Sequence, residues 1–232
     1  MAASGRGSFE SSLVDLMTSL AVIFILLLVV FLKNSADEAS AIVAGTEDDR
    51  SQIVKALAVE LTGLDPGIGV KSDPSDPLKL IVVLPEELLR FEKNRSEVPA
   101  TGVGFLVNFA PKLAGVVCGE RFADRIDGVV IEGHTDSTGN DEINIPLSAQ
   151  RATSVMLEVR KALLNDPEGK AFCFLQRASA SGRGSTDLVR VGDEEDHQRS
   201  RRVLFKIRVK SAEQRQAERT AAQVAGGQLD VP

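Results

Sequence analysis

IEGHTDSTGNDEINIPLSAQRATSVMLEV (residues 131–159) changes character twice. It opens apolar, breaks into a loop of Gly, Asp, Ser, Thr and Asn, and closes on an apolar repeat of helical period. The stretch GVVIEGHTD (128–136) predicts a strand running into a loop. Leu147 to Leu164 predicts an amphipathic helix, capped by Ser148, with Ala152, Val155, Met156, Val159 and Leu163 on one face. Arg151 then falls in the first helical turn, where unpaired backbone N–H groups also attract anions.

The flanking segments repeat this alternation. LKLIVVL (78–84), AFCFLQRAS (171–179) and RRVLFKIRV (201–209) predict strands, the last placing Val203, Phe205, Ile207 and Val209 on one side. GVGFLVNFAPKLAGVV (102–117) predicts a helix strained at Pro111. The order βαβαββ is that of an α/β sandwich, with helices on one face of a mixed sheet. Ahead of it, Thr46 reads as an N-cap, Ile53, Leu57 and Leu61 continue a short helix to Gly63, and DPGIGVKSDPSDP (65–77) is a breaker. The segment from Ser211 is polar and Gln-rich and reads as mobile.

The N-terminal region is of another kind. Residues 13–32 are almost wholly apolar, about 20 residues or roughly 30 Å as helix, enough for a single transmembrane helix. A cleaved signal peptide is the competing reading, but it wants a basic leader and a shorter apolar core, and only Arg6 precedes this one. The expected organisation is a tail (1–12), a transmembrane helix (13–32), a linker with a short helix (33–77), an α/β domain (78–209) and a mobile tail (210–232). Asp15 lies inside the apolar block, where a carboxylate is costly and usually functional.

A net charge of −6 argues against a nucleic-acid binder. With neither Trp nor Tyr, base-stacking platforms and aromatic membrane belts are both poorly supplied. Cys118 and Cys173 are the only cysteines, and His134 and His197 the only histidines, so no metal site and no cofactor is expected. His134 reads as a hydrogen-bonded strand-end residue. Ser148, His134 and Asp136 are the residue types of a hydrolase triad, but Ser148 reads as a helix cap and no oxyanion loop is visible, so an enzyme is not expected.

Gly133, His134, Thr135, Asp136, Gly139, Asn144, Leu147, Ser148, Arg151 and Ala152 resemble, at fixed offsets, the pattern of OmpA-like peptidoglycan-binding domains. ASGRGSTD (180–187) and RSRRVLFKI (199–207) extend the resemblance, with Ser200 and His197 departing from the residues usual there. The resemblance implies that Asp136 and Arg151, helped by Asn144, grip the charged end of a diaminopimelate group, the alternative for the pair being a plain surface ion pair. It also implies a periplasmic domain and a cytoplasmic N-terminus, hence an inner-membrane protein. In that compartment Cys118 and Cys173 are free to form a disulfide, the alternative being two buried thiols.

Asp15, Met17 and Thr18, the apolar helix, the linker and the domain resemble in order a MotB-type stator subunit. A short linker and the SRRVLFKI ending look more like ZorB, the MotB-like subunit of Zorya anti-phage systems. What this implies is a homodimer inside a ring of multi-span MotA- or ZorA-like subunits. Asp15 and Thr18 would serve ion translocation, H⁺ or Na⁺. A passive envelope tether without ion flow is the alternative.

Overall fold

The computed structural model describes residues 5–85, 87–164, 166 and 169–226, with side chains from Leu16 onward apart from residues 38 and 39. Asp15 therefore has no described side chain. The chain divides into two compact units, Met1–Gly45 and Thr46–Pro232.

The first unit is helical, the opening part of α1 (Gly5–Thr62). Its residues from Leu16 to Leu32 are all exposed, Leu16 at 70% and Phe31 at 66% among them. This apolar stretch is long enough to cross a bilayer. Thr18 lies on it, also exposed. The expected linker does not interrupt the helix. Residues 34–44 contain neither Gly nor Pro, and their Ala residues favour helix, so nothing local stops it.

In the second unit α1 continues through Thr62, so Thr46 is not a helix cap. The strands are β1 (Gly69–Asp73), β2 (Asp76–Val83), β3 (Ile126–Gly133), β4 (Ala178–Gly182), β5 (Arg190–Val191), β6 (Glu194–Glu195) and β7 (Val203–Val209). The other helices are α2 (Ala100–Val117), α3 (Asp141–Leu164), α4 (Ala171–Arg177), α5 (His197–Ser200) and α6 (Ala212–Gly226). The main sheet runs β1-β2-β7-β3-β4, with β5 and β6 forming a separate hairpin. Among the described residues only β3 and β4 pair in parallel, Ile131 opposite Ala180; β7 lies antiparallel to both β3 and β2, with Phe205 opposite Ile131 and Val82. The sheet is thus mixed, as the βαβαββ reading requires, with an added edge strand. β1 was hidden inside the expected breaker because GVKSD carries little apolar signal.

Alternation on β7 sends Val203, Phe205, Ile207 and Val209 to the helix side, all buried. Phe205 meets Phe109 of α2 edge-on at 4.9 Å between ring centroids. Ile53, Leu57 and Leu61 of α1, each wholly buried, belong to the same core. The expected domain start at residue 78 therefore leaves out part of the core that the fold uses.

Two further expectations are corrected. Residues 171–177 form α4 instead of a strand, Arg177 donating from Nη1 to the carbonyls of Val117, Ala123 and Ile126. A disulfide joins Cys173 on α4 to Cys118 at the end of α2, with 6.1 Å between Cα atoms. The C-terminal segment is helical as far as Gly226, because AEQRQAERTAAQVAG is rich in good helix formers. It is held in place: Ala212 N donates to Thr46 Oγ1 at 2.9 Å, Arg215 pairs with buried Asp49, and Arg219 reaches Asp124 at 3.1 Å. Arg125 also binds Asp49, at 2.8 Å.

Helix α3 sits close on β3 and β4. A Cβ at Gly133 would overlap the Ser148 carbonyl, and one at Gly182 would overlap the backbone nitrogen of Ala149. Both obstacles are backbone, which cannot swing away. Gly133→Ala is expected to destabilise the fold by about 1–3 kcal/mol through overpacking, read as a lower urea midpoint.

Candidate functional site

β3 ends at Gly133, and residues 134–136 continue as a loop pinned on two sides. His134 N donates to Arg202 O, and Thr135 N to Gly184 O, each at 2.9 Å; Arg183 N returns a bond to Gly133 O. Asp136 is thereby fixed between the 183–184 turn and the start of β7. It is only 5% exposed. Its Oδ2 accepts from Arg201 Nη1 at 2.6 Å and its Oδ1 from Thr138 N at 3.1 Å. Burial alone would raise its pKa, but the Arg201 and Thr138 hydrogen bonds outweigh that and hold it below the usual carboxylate range.

Helix α3 begins at Asp141, six residues before Leu147, with Asn140 Oδ1 accepting from Ile143 N at its entry. Pro146 is therefore inside the helix. Ser148 is not a cap: its Oγ donates to Ile145 O and accepts from Gly184 N. Asn144, buried, donates from Nδ2 to Asp136 O at 3.4 Å, which ties helix to loop.

Arg151 lies deeper along α3 than the first turn and is wholly buried. Its Nε donates to Arg95 O at 2.9 Å, Nη1 to His134 O at 3.0 Å, and Nη2 to Glu92 O at 3.1 Å. Its guanidinium also stands 5.2 Å from the Phe91 ring centre. Burial, then repulsion from Arg201, lowers its pKa to about 10, against the attraction of Asp136. Asp136 and Arg151 thus share one neighbourhood, but the partner bonded to Asp136 is Arg201.

Glu195 of β6 binds Ser137 through both the backbone N–H and the hydroxyl, and lies 3.3 Å from Nδ1 of exposed His197. Burial opposes ionisation of Glu195, but the Ser137 bonds and His197 leave its pKa lowered. Ser200 is wholly buried, and its Oγ accepts from Val189 N, so this departure from the family pattern secures the hairpin segment.

On the face of the sheet away from α2 and α3, Lys206 bridges Glu132 at 2.7 Å and Asp73 at 3.3 Å. Burial opposes ionisation at both carboxylates, yet hydrogen bonds from His134 and Lys206 bring Glu132 to about 2, and those from Ser75 and Lys206 bring Asp73 to about 2. His134 is wholly buried, with Nε2 3.1 Å from Glu132 Oε1. It does not meet Ser148, so Ser148, His134 and Asp136 form no nucleophile relay. Beside this network runs a groove of about 600 Å³ lined by Ile81, Leu204, Arg183, Arg199, Arg201 and Arg202. Arg202 there pairs with Asp187 at 2.6 Å. Among the described residues, no group of three or more His, Cys, Asp or Glu is placed to hold a metal ion.

No protein-family model matches the chain, and no curated protein does. The chain is similar to solved MotB periplasmic domains. One such domain has 16% identity over 72% of this chain and 78% of its own, with a TM-score of 0.46. A putative MotB-like protein from Desulfovibrio vulgaris has 18% identity over 74% of this chain and 98% of its own, with a TM-score of 0.48. The cell wall anchor of the T6SS from Pseudomonas aeruginosa has 18% identity over 68% and 97%, with a TM-score of 0.43.

Sequence reasoning missed Arg201, Glu195 and the Phe91–Arg95 segment as parts of this site. The Arg pair of SRRVLFKI was a signal for the first of them, read as a strand opening and as part of the family resemblance but not as a partner of Asp136.

Proposed function

We propose that this chain is the peptidoglycan-anchored, MotB-like subunit of an ion-driven inner-membrane motor. The observation that carries the anchoring half is Asp136, a nearly buried carboxylate kept ionised at a strand end, within the motif that resembles OmpA-like wall binders. An ionised carboxylate there suits the ammonium of a diaminopimelate stem, and Asn144 holds the loop that presents it. The wall-binding domain is periplasmic in this reading, and the apolar part of α1 is the membrane anchor. In co-sedimentation of the full chain with purified sacculi, Asp136→Ala is expected to weaken binding about thirtyfold or more, the cost of leaving a desolvated ligand charge unpaired. Undiminished binding by a folded Asp136→Ala variant would refute the wall grip.

The motor half rests on Asp15, with Thr18 one helical turn further along and the apolar helix around them. A carboxylate in an apolar span alternates between charge states as ions pass, and each neutralisation removes a large desolvation cost. In this reading two copies of the chain pair inside a ring of multi-span MotA- or ZorA-like subunits, in a flagellar-type or anti-phage machine. Asp15→Asn keeps shape and removes titration, so it is expected to assemble normally and abolish ion-dependent function. Activity retained by that variant would favour a passive envelope tether.

A further inference from the structure

The groove of about 600 Å³ on the open face of the sheet is built from cross-strand neighbours. Lys71 of β1, Ile81 of β2 and Lys206 of β7 lie in one row, and Leu204 of β7 lies opposite Glu132 of β3. The floor is aliphatic, with Ile81, Val83, Leu84 and Leu204. The lining carries six cationic side chains, Lys71, Arg183, Arg199, Arg201, Arg202 and Lys206, against three carboxylates, Asp73, Glu132 and Asp187. Even with Arg201 neutralised by its bond to Asp136, positive charge is in excess. Arg199 stands close enough to Arg202 to repel it, and Arg183 and Lys71 are exposed. A chain with a net charge of −6 thus gathers cations along one apolar trough, where they draw in anionic groups.

We propose that this groove is a docking site for an extended segment of a partner protein in which acidic and aliphatic residues alternate. The two carboxylates beside Lys206 favour a peptide over other anions. Lys206 and His134 both meet Oε1 of Glu132, at 2.7 and 3.1 Å, so Oε2 keeps its capacity to accept. A backbone N–H can donate to it. A phosphate group brings acceptors and meets Glu132 and Asp73 as like charges. An acyl chain would cover the Lys206–Glu132–Asp73 network without a single polar partner. The lining holds no aromatic ring, so nucleic-acid bases find no stacking platform. An extended peptide sends successive side chains to opposite sides. Alternation therefore lays aliphatic groups on Ile81 and Leu204 and lifts carboxylates to the rim, where a guanidinium fork receives them in pairs of hydrogen bonds. The proposal is independent of the wall-anchoring reading.

The test is fluorescence anisotropy of a short labelled peptide alternating glutamate and leucine, titrated with the full chain in an uncharged detergent, with empty micelles as the blank. Wild type is expected to bind it saturably below about 1 mM, and more weakly as salt rises. Arg183→Glu and Lys71→Glu, both at exposed positions, should each weaken binding about tenfold or more. A peptide alternating glutamate and serine should bind wild type about tenfold or more weakly, because the floor then gains nothing. Leu204→Ser should shrink that preference for leucine over serine while the rim charges stay in place. Absence of saturable binding by wild type would overturn the proposal. So would undiminished affinity in Arg183→Glu or in Lys71→Glu, or equal affinity for the leucine and serine peptides. Inorganic pyrophosphate bound more tightly than the peptide, and lost in the same variants, would give the groove to phosphate esters and overturn the peptide.

Discussion

Arg151→Ala is expected to lower the stability of the domain by about 3–5 kcal/mol, the scale of removing one partner from a buried charged network. Three backbone carbonyls, on Glu92, Arg95 and His134, would lose their donor at once. The buried acceptor, His134 O, costs about 1–3 kcal/mol if left unpaired, while water can reach the part-buried Glu92 and Arg95 carbonyls and recover part of their loss. The Phe91 ring would also lose the cation beside it. For a chain of this size the change corresponds to a fall in Tm of roughly 6–20 °C. Asp136→Ala should differ in kind, losing the wall while staying folded, since Arg201 stays partly in contact with solvent. Thermal unfolding of the two variants side by side separates them. An Arg151→Ala protein as stable as wild type would show that the segment from Phe91 to Arg95 closes over the site without it. Placing Arg151 outside the core, as its expected first-turn position implies, would predict the opposite outcome.

Replacing both Cys118 and Cys173 by Ser is the second large effect. The bridge spans 55 residues of chain, and closing a loop of that length in the unfolded ensemble corresponds to about 4 kcal/mol in the chain-entropy picture. It fastens the end of α2 to α4, the helix that stands where a strand was expected, immediately before β4. The double variant should therefore unfold at a clearly lower urea concentration, and wild type treated with reductant should move to the same midpoint. Coincident midpoints for oxidised and reduced wild type would mean that packing of Phe174 and the Arg177 hydrogen bonds hold α4 unaided.

Much of the fold was legible because its elements carry strong periods. β7 alternates strictly, and α2 and α3 repeat their apolar positions at helical spacing. Where the signal was short or polar, tertiary forces decided. AFCFLQR suits strand or helix, and it became α4 with Phe174 in the core and Arg177 collecting carbonyls. GVKSD became a strand because β2 offered an edge, with Val70 opposite Val82. The site divides in the same manner. Asp136 and Asn144 come together because they flank one loop, and offsets in a motif describe a loop well. The Asp136–Arg201 pair spans 65 residues, which local spacing does not encode. The depth of Arg151 was hidden by its type, since arginine is rarely buried unless its donors are all engaged.

The bond between Thr46 and Ala212 bears on how the domain is born. It joins positions 166 residues apart, and the Asp49–Arg215 pair stands beside it. Synthesis delivers the first of these partners long before the second. Ile53, Leu57 and Leu61 emerge early, and the residues that bury them follow from α2 onward. Contacts of such long sequence separation form late and slowly, because loop closure precedes any return from packing. A nascent chain stopped short of Ala212 would hold every strand of the sheet yet leave Asp49 without the Arg215 guanidinium and Thr46 without the backbone N–H that it receives. Helix α6 is thus the fastener for the C-terminal part of α1, supplying the partners that Thr46 and Asp49 await.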